Sequence, residues 1–219
     1  MESDRLKKAR EYEAAHGTQI TEEERPVYHV TPTVGWLNDP NGFSYFDGQY
    51  HLFYQYNPYS THWDSMHWGH LVSEDMLNWK RLPAALAPDT WYDNFGVFSG
   101  SAITAPDGRH LLIYTGVEEK TNAEGERTYY RQTQCLAFGD GMNYVKYENN
   151  PVMTPDMLPE GYSAEDFRDP KIWYEEKEGL YYAIIGASTE ENDGAVVLFR
   201  SPDLYSWEYV STLDKGGNE

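Results

Sequence analysis

The chain has 219 residues, of which 36 are Asp or Glu against 17 Lys or Arg, giving a net charge of −19. So acidic a surface repels nucleic-acid phosphates and anionic lipid, and excludes both as partners. Aromatics at 16% exclude intrinsic disorder, and no run of about 18 apolar residues exists to span a membrane. The single Cys135 excludes an internal disulfide framework. The N-terminal stretch Met1 to Gly17 lacks the apolar core of a signal peptide. The expectation is a soluble cytoplasmic protein acting on a small neutral molecule. Aromatic faces beside carboxylates suit a carbohydrate.

In chain order, Asp4 to Ala15 has helix-forming composition, with Gly17 as a stop. Thr21 to Pro26 is charged and linker-like, and the run Glu22-Glu23-Glu24 reads as solvated surface. Residues 1–27 are therefore expected to be a helical extension and linker. From residue 28 to residue 219 the texture changes to short aromatic and β-branched runs broken by Gly, Pro, Asn and Asp, the signature of an all-β region.

Three hairpins share one plan, turning at Asp47-Gly48, Asp107-Gly108 and Glu178-Gly179. A second hairpin follows each, with turns at Glu74-Asp75, Asp140-Gly141 and Pro202-Asp203 and then an aromatic: Trp79, Tyr144 or Trp207. Spacings of 60 and 71 residues between the first turns, and of 66 and 62 between the second, make this a repeat of four strands. Four-stranded repeats point to a β-propeller, of which this chain holds about three blades. Packing of the same hairpins as a two-sheet sandwich is the alternative.

The repeat aligns three side chains. Asp39 lies 8 residues before Asp47, Ser99 lies 8 before Asp107, and Asp169 lies 9 before Glu178. All three are expected where the first strand of a repeat begins, so they should converge at one mouth of the propeller. Taken singly, Asn38-Asp39-Pro40 and Arg168-Asp169-Pro170 also read as ordinary turns. Recurrence at matching positions favours a shared pocket.

Five ordered motifs then carry a specific resemblance. Trp36-Leu37-Asn38-Asp39-Pro40-Asn41-Gly42 resembles the nucleophile motif of glycoside hydrolase family 32, the invertases, fructanases and sucrose-6-phosphate hydrolases. Phe53-Tyr54-Gln55-Tyr56-Asn57-Pro58, Trp68-Gly69-His70, Phe98-Ser99-Gly100-Ser101-Ala102 and Phe167-Arg168-Asp169-Pro170-Lys171 are similar to further motifs in the same order. The resemblance implies a five-bladed propeller followed by a β-sandwich, and a retaining β-fructofuranosidase acting on sucrose, sucrose 6-phosphate or a fructan, without a cofactor. It implies Asp39 as nucleophile and Asp169, with Arg168, as stabiliser of the transition state. Asn38, Gln55 and Ser99 would bind the fructose, and Trp63 and Phe98 would form an aromatic wall. The acid/base Glu of the family's Trp-Glu-Cys-Pro-type motif has no counterpart here. The chain is therefore expected to be the N-terminal part of a longer enzyme, inactive alone and completed by the remaining C-terminal part. A non-catalytic sugar-binding protein and a fructosyltransferase are the alternatives. His62, His67 and His70 match no zinc spacing, so no metal site is expected, with His70 in the core. Cys135 reads as a small buried hydrophobe.

Overall fold

The computed structural model describes residues 2–217. The expected repeat of hairpins is realised as three separate four-stranded antiparallel sheets. The first comprises β1 (Trp36–Phe46), β2 (Gln49–Asn57), β3 (His67–Ser73) and β4 (Lys80–Leu86). The second holds β5 (Gly96–Thr104), β6 (His110–Thr121), β7 (Arg127–Gly139) and β8 (Tyr144–Lys146). The third holds β9 (Tyr162–Glu175), β10 (Leu180–Thr189), β11 (Gly194–Ser201) and β12 (Glu208–Gly216). In each sheet the strands lie in chain order, so every connection is a hairpin. At the first turn Asp47 and Gly48 both have positive φ (47° and 80°), the backbone that matches the twist of the flanking strands and favours Asp-Gly.

The second-hairpin turn is built twice with the same bonds. Ser73 Oγ accepts from the N–H groups of Asp75 and Met76, and Asp75 Oδ1 from those of Leu77 and Asn78. Trp79 Nε1–H then closes onto Met76 O. Ser201, Asp203 and Trp207 repeat the pattern with Leu204, Tyr205 and Ser206. The repeat therefore extends below strand order to individual hydrogen bonds.

The sheets stack face to face, which excludes the two-sheet sandwich. Phe53 and Trp68 of the first sheet meet Val97, Leu112 and Tyr114 of the second. Leu111, Ile113 and Leu136 on the second sheet's other face meet Ile172, Ala183 and Val197 of the third. Covered on both sides, β6 is buried without interruption from His110 to Val117. The third sheet instead alternates buried and exposed residues. Its outward face carries the stacked pair Trp173 and Tyr182, the half-buried Ile184 and Leu198, and the exposed Val196. The first strands, β1, β5 and β9, neighbour one another in turn.

Helix α1 (Asp4–His16) starts where Ser3 Oγ accepts from Leu6 N–H at 3.1 Å. It buries Leu6 and Ala9 against Tyr54, Tyr56, Leu71 and Ala84 of the first sheet. The stretch expected as a bare charged linker contains a short 3-10 turn (Glu22–Glu24), and Glu22 pairs with Arg81 of β4 at 3.1 Å. Among the described residues no helix is long and apolar enough to cross a membrane.

Buried imidazoles lock the first two sheets together. His51 Nδ1 lies 3.0 Å from His70 Nε2, and His110 spans Ser44 Oγ at 2.9 Å and Tyr144 Oη at 2.8 Å. Desolvation pushes His110 down to about 3 and His67 to about 4, and lowers His51 and His70 as well. These rings stay neutral in the folded chain, while in the unfolded chain they take up protons near 6.5. Stability is therefore full above pH 6.5 and lost as pH falls through the window down to the folded values. His110 and His67 each contribute about 1.4 kcal/mol per pH unit in that window. Urea unfolding at pH 7 and pH 5 is expected to show a large drop in midpoint, and His110→Phe to shrink it. An unchanged midpoint would mean these rings are protonated when folded.

Candidate active site

Strands β1, β5 and β9 are edge strands of their sheets, and each slips register, β5 once and β1 and β9 twice. Asn38 and Asp39 together oppose Gln55, between the pairs Leu37–Tyr56 and Pro40–Tyr54. Ser99 is the extra residue between Phe98–Thr115 and Gly100–Tyr114. Asp169 and Pro170 oppose Ile185, between Arg168–Gly186 and Lys171–Ile184. The three aligned side chains thus sit inside strands, at bulges, rather than at the strand starts that the turn-like Asp-Pro sequences suggest. A bulge kinks the strand and re-aims the side chain, and an edge bulge is where a sheet accepts proline. Gly100 is required beside the second bulge, where a Cβ would lie 2.0 Å from Ile113 O.

The bulges open onto one cavity of about 310 Å³, lined by Trp36, Asn38, Asp39, Gln55, Trp63, Phe98, Ser99, Arg168 and Asp169. All eight side chains singled out in the sequence meet there. Trp36 is the addition; it lies in the quoted motif, yet nothing about its spacing assigns it a task. Ser99 Oγ–H donates to Asp39 Oδ2 at 3.1 Å and so orients that carboxylate. Gln55 is buried, and its Nε2 donates to Val97 O at 3.0 Å. On one side Trp63, 52% exposed, stands edge-on to Phe98 with ring centroids 6.2 Å apart, and Phe95 backs both. The Arg168 guanidinium, also in the lining, lies 3.3 Å from Asp166 and 3.9 Å from Asp169.

Asp169 holds a left-handed backbone, φ 62°, a conformation uncommon outside glycine and more accessible to Asp than to most side chains. Its side chain opens to the cavity, 58% accessible. Enclosure by the cavity walls nevertheless pushes its carboxyl above the usual range; the Arg168 guanidinium opposes this and the charge of Asp39 adds to it. Two carboxylates facing each other, with a hydroxyl, two amides and a guanidinium among them and aromatic rings alongside, can grip a neutral polyol and stabilise positive charge on it.

A larger groove of about 650 Å³ runs between α1 and β4. Its charged lining comprises Arg10, Glu13, Glu22, Arg25 and Arg81, and Glu22 pairs with both Arg25 and Arg81. His70 lies in the core, as does Cys135, whose thiol burial pushes up.

The family model for the glycosyl hydrolases family 32 N-terminal domain matches residues 29–219. A sucrose-6-phosphate hydrolase of Bacillus subtilis is 44% identical over 193 residues, covering 88% of this chain and 38% of that protein. A raffinose invertase of Escherichia coli is 44% identical over 192 residues, covering 86% and 37%. Among solved structures, a mutant β-fructofuranosidase of Bombyx mori in complex with sucrose superposes with a TM-score of 0.84 at 41% identity, over 99% of this chain and 43% of that one. The chain thus spans about two fifths of the length of these relatives. Matched by the family model over most of its length, the chain belongs to glycoside hydrolase family 32.

Proposed function

We propose that the chain supplies the fructose-binding wall of a retaining β-fructofuranosidase that hydrolyses sucrose or sucrose 6-phosphate. The observation that carries this reading is the Asp39 carboxylate, fixed by Ser99 and set in the same cavity as Asp169 and Arg168. In the first step an Asp39 oxygen attacks the anomeric carbon of the fructosyl unit. The bond to the leaving-group oxygen breaks, and that oxygen takes a proton from a general acid. Water then gives a proton back to the conjugate base of that acid and attacks the anomeric carbon; the bond to Asp39 breaks, and fructose leaves with its configuration retained. Asp169 stabilises the positive charge that develops on the ring between these states, and Arg168 orients Asp169. Asn38 and Gln55 bind the fructose hydroxyls beside Ser99.

Asp39 and Asp169 are the carboxyls among the residues lining the cavity. With both assigned, this reading leaves the general acid to a residue beyond the lining of this cavity, and the chain alone is expected to release no fructose. The outward face of the third sheet, with Trp173, Tyr182, Ile184 and Leu198, is the surface against which we place the next blade of a five-bladed propeller.

The test is the stereochemistry. Proton NMR of sucrose turnover by the protein with its C-terminal continuation should show β-fructofuranose first, before mutarotation. Early α-fructose would overturn the mechanism. Trp63→Ala should weaken sugar binding about five- to tenfold, about 1–1.4 kcal/mol of lost aromatic contact, with little change in kcat. An equal fall in kcat at constant KM would place Trp63 elsewhere in the reaction.

A further inference from the structure

Behind the cavity lies a set of buried polar side chains to which neither the motifs nor the fold assigns a task. Thr115 on β6, and Gln132 and Gln134 on β7, have no solvent-accessible surface. Burying three such groups is costly unless they are hydrogen-bonded; the Gln132 Nε2 has no partner, while the bonds that are made converge on the strand segment that presents Asp169. Thr115 Oγ1 accepts from the Asp169 N–H at 3.0 Å and donates to Gln134 Oε1 at 3.0 Å, with Ser99 O alongside at 3.3 Å. Gln134 Nε2 donates to Phe167 O at 2.6 Å, and Gln132 Oε1 accepts from the Phe167 N–H at 3.1 Å. Both main-chain groups of Phe167 and the N–H of Asp169 are thus held by side chains from the second sheet. They flank Arg168 and enclose the left-handed residue.

Resting on the function proposed above, we infer that Thr115 is a positioning residue for the reaction, with Gln132 and Gln134 as its buttress. Its hydroxyl contacts the backbone of both the Ser99 and the Asp169 bulges. It therefore sets where the partner of Asp39 and the charge-stabilising carboxylate stand relative to each other. A valine fills the same space but withdraws the acceptor from the Asp169 N–H and the donor from Gln134. A serine keeps both.

The test compares Thr115→Val and Thr115→Ser in the full protein, reading kcat and KM for sucrose per active site together with thermal unfolding. It also follows Asp169 by carboxyl ¹³C NMR through a pH titration. Thr115→Val is expected to lower kcat by about a hundredfold, the scale of an ångström-sized misplacement, with KM nearly constant and the Asp169 titration displaced. Thr115→Ser should restore kcat and the titration even where it melts lower. Unchanged kcat and titration in Thr115→Val, or an equal loss in Thr115→Ser, would overturn the assignment. Should the unsubstituted protein not act on sucrose, the proposed function fails, while the Asp169 titration in the two variants still decides the role of Thr115.

Discussion

Asp39→Ala is expected to lower turnover by about 10⁴–10⁶-fold, the usual scale for deleting a catalytic nucleophile, while leaving the fold and sugar binding in place. Asp39 is exposed, at a bulge without a ladder partner, so its loss should move stability by no more than about 0.5 kcal/mol. The hydroxyl of Ser99 loses its acceptor but remains at the cavity surface, where water replaces it. Fructose release and isothermal titration with sucrose, on the same preparation of the full protein, separate two outcomes. Lost turnover with binding retained supports the nucleophile. Turnover absent in the unsubstituted protein, with binding equal in both forms, would show a sugar-binding protein instead.

The largest effect of a single substitution on stability is expected outside the cavity lining. Lys146 on β8 reaches between Asp89 and the fully buried Asp93, 2.5 Å from the latter, and also donates to Ala87 O at 2.7 Å. Burial alone would lower the Lys146 ammonium, but Asp93 and Asp89 carry it above the ordinary lysine value. Asp93 also accepts from Tyr114 Oη–H at 3.0 Å and from the Thr90 N–H at 2.9 Å. Lys146→Met leaves that carboxylate buried beside Asp89 without a cation, which should cost about 3–5 kcal/mol. A domain stable by about 5–15 kcal/mol would lose a large share of its margin. Urea unfolding measures it, and the double change Lys146→Met/Asp93→Asn should recover most of the loss by removing the stranded charge. A double variant as unstable as the single one would assign the effect to packing.

Much of this architecture is legible in the sequence because hairpin turns have strong local chemistry. Asp47-Gly48 fixes the first strand pair through positive φ, and Ser73/Asp75/Trp79 and Ser201/Asp203/Trp207 repeat one turn by short-range bonds. From such turns the spacing of Asp39, Ser99 and Asp169 follows, and with it their meeting in one cavity. The bulges are not legible, since Asp-Pro is locally a turn signal and becomes a strand residue only where a sheet edge accepts it. The spine of Thr115, Gln132 and Gln134 escapes for another reason. Its partners lie 33 to 54 residues away on another sheet, and buried Gln and Thr leave no periodic trace in an apolar strand. The His51, His70 and His110 contacts are hidden in the same way.

The three bulges separate the grammar of folding from that of chemistry. Residues in register must satisfy a partner strand, so their identity is constrained by pairing and packing on both faces. The interpolated residues at positions 39, 99 and 169 answer to the cavity instead. Evolution, or an engineer, can exchange them as a set without rewriting the surrounding sheets. Such a frame is suited to diversifying the chemistry of one cavity, with substitutions at the interpolated positions and their framing residues expected to change the reaction before they change whether the chain folds.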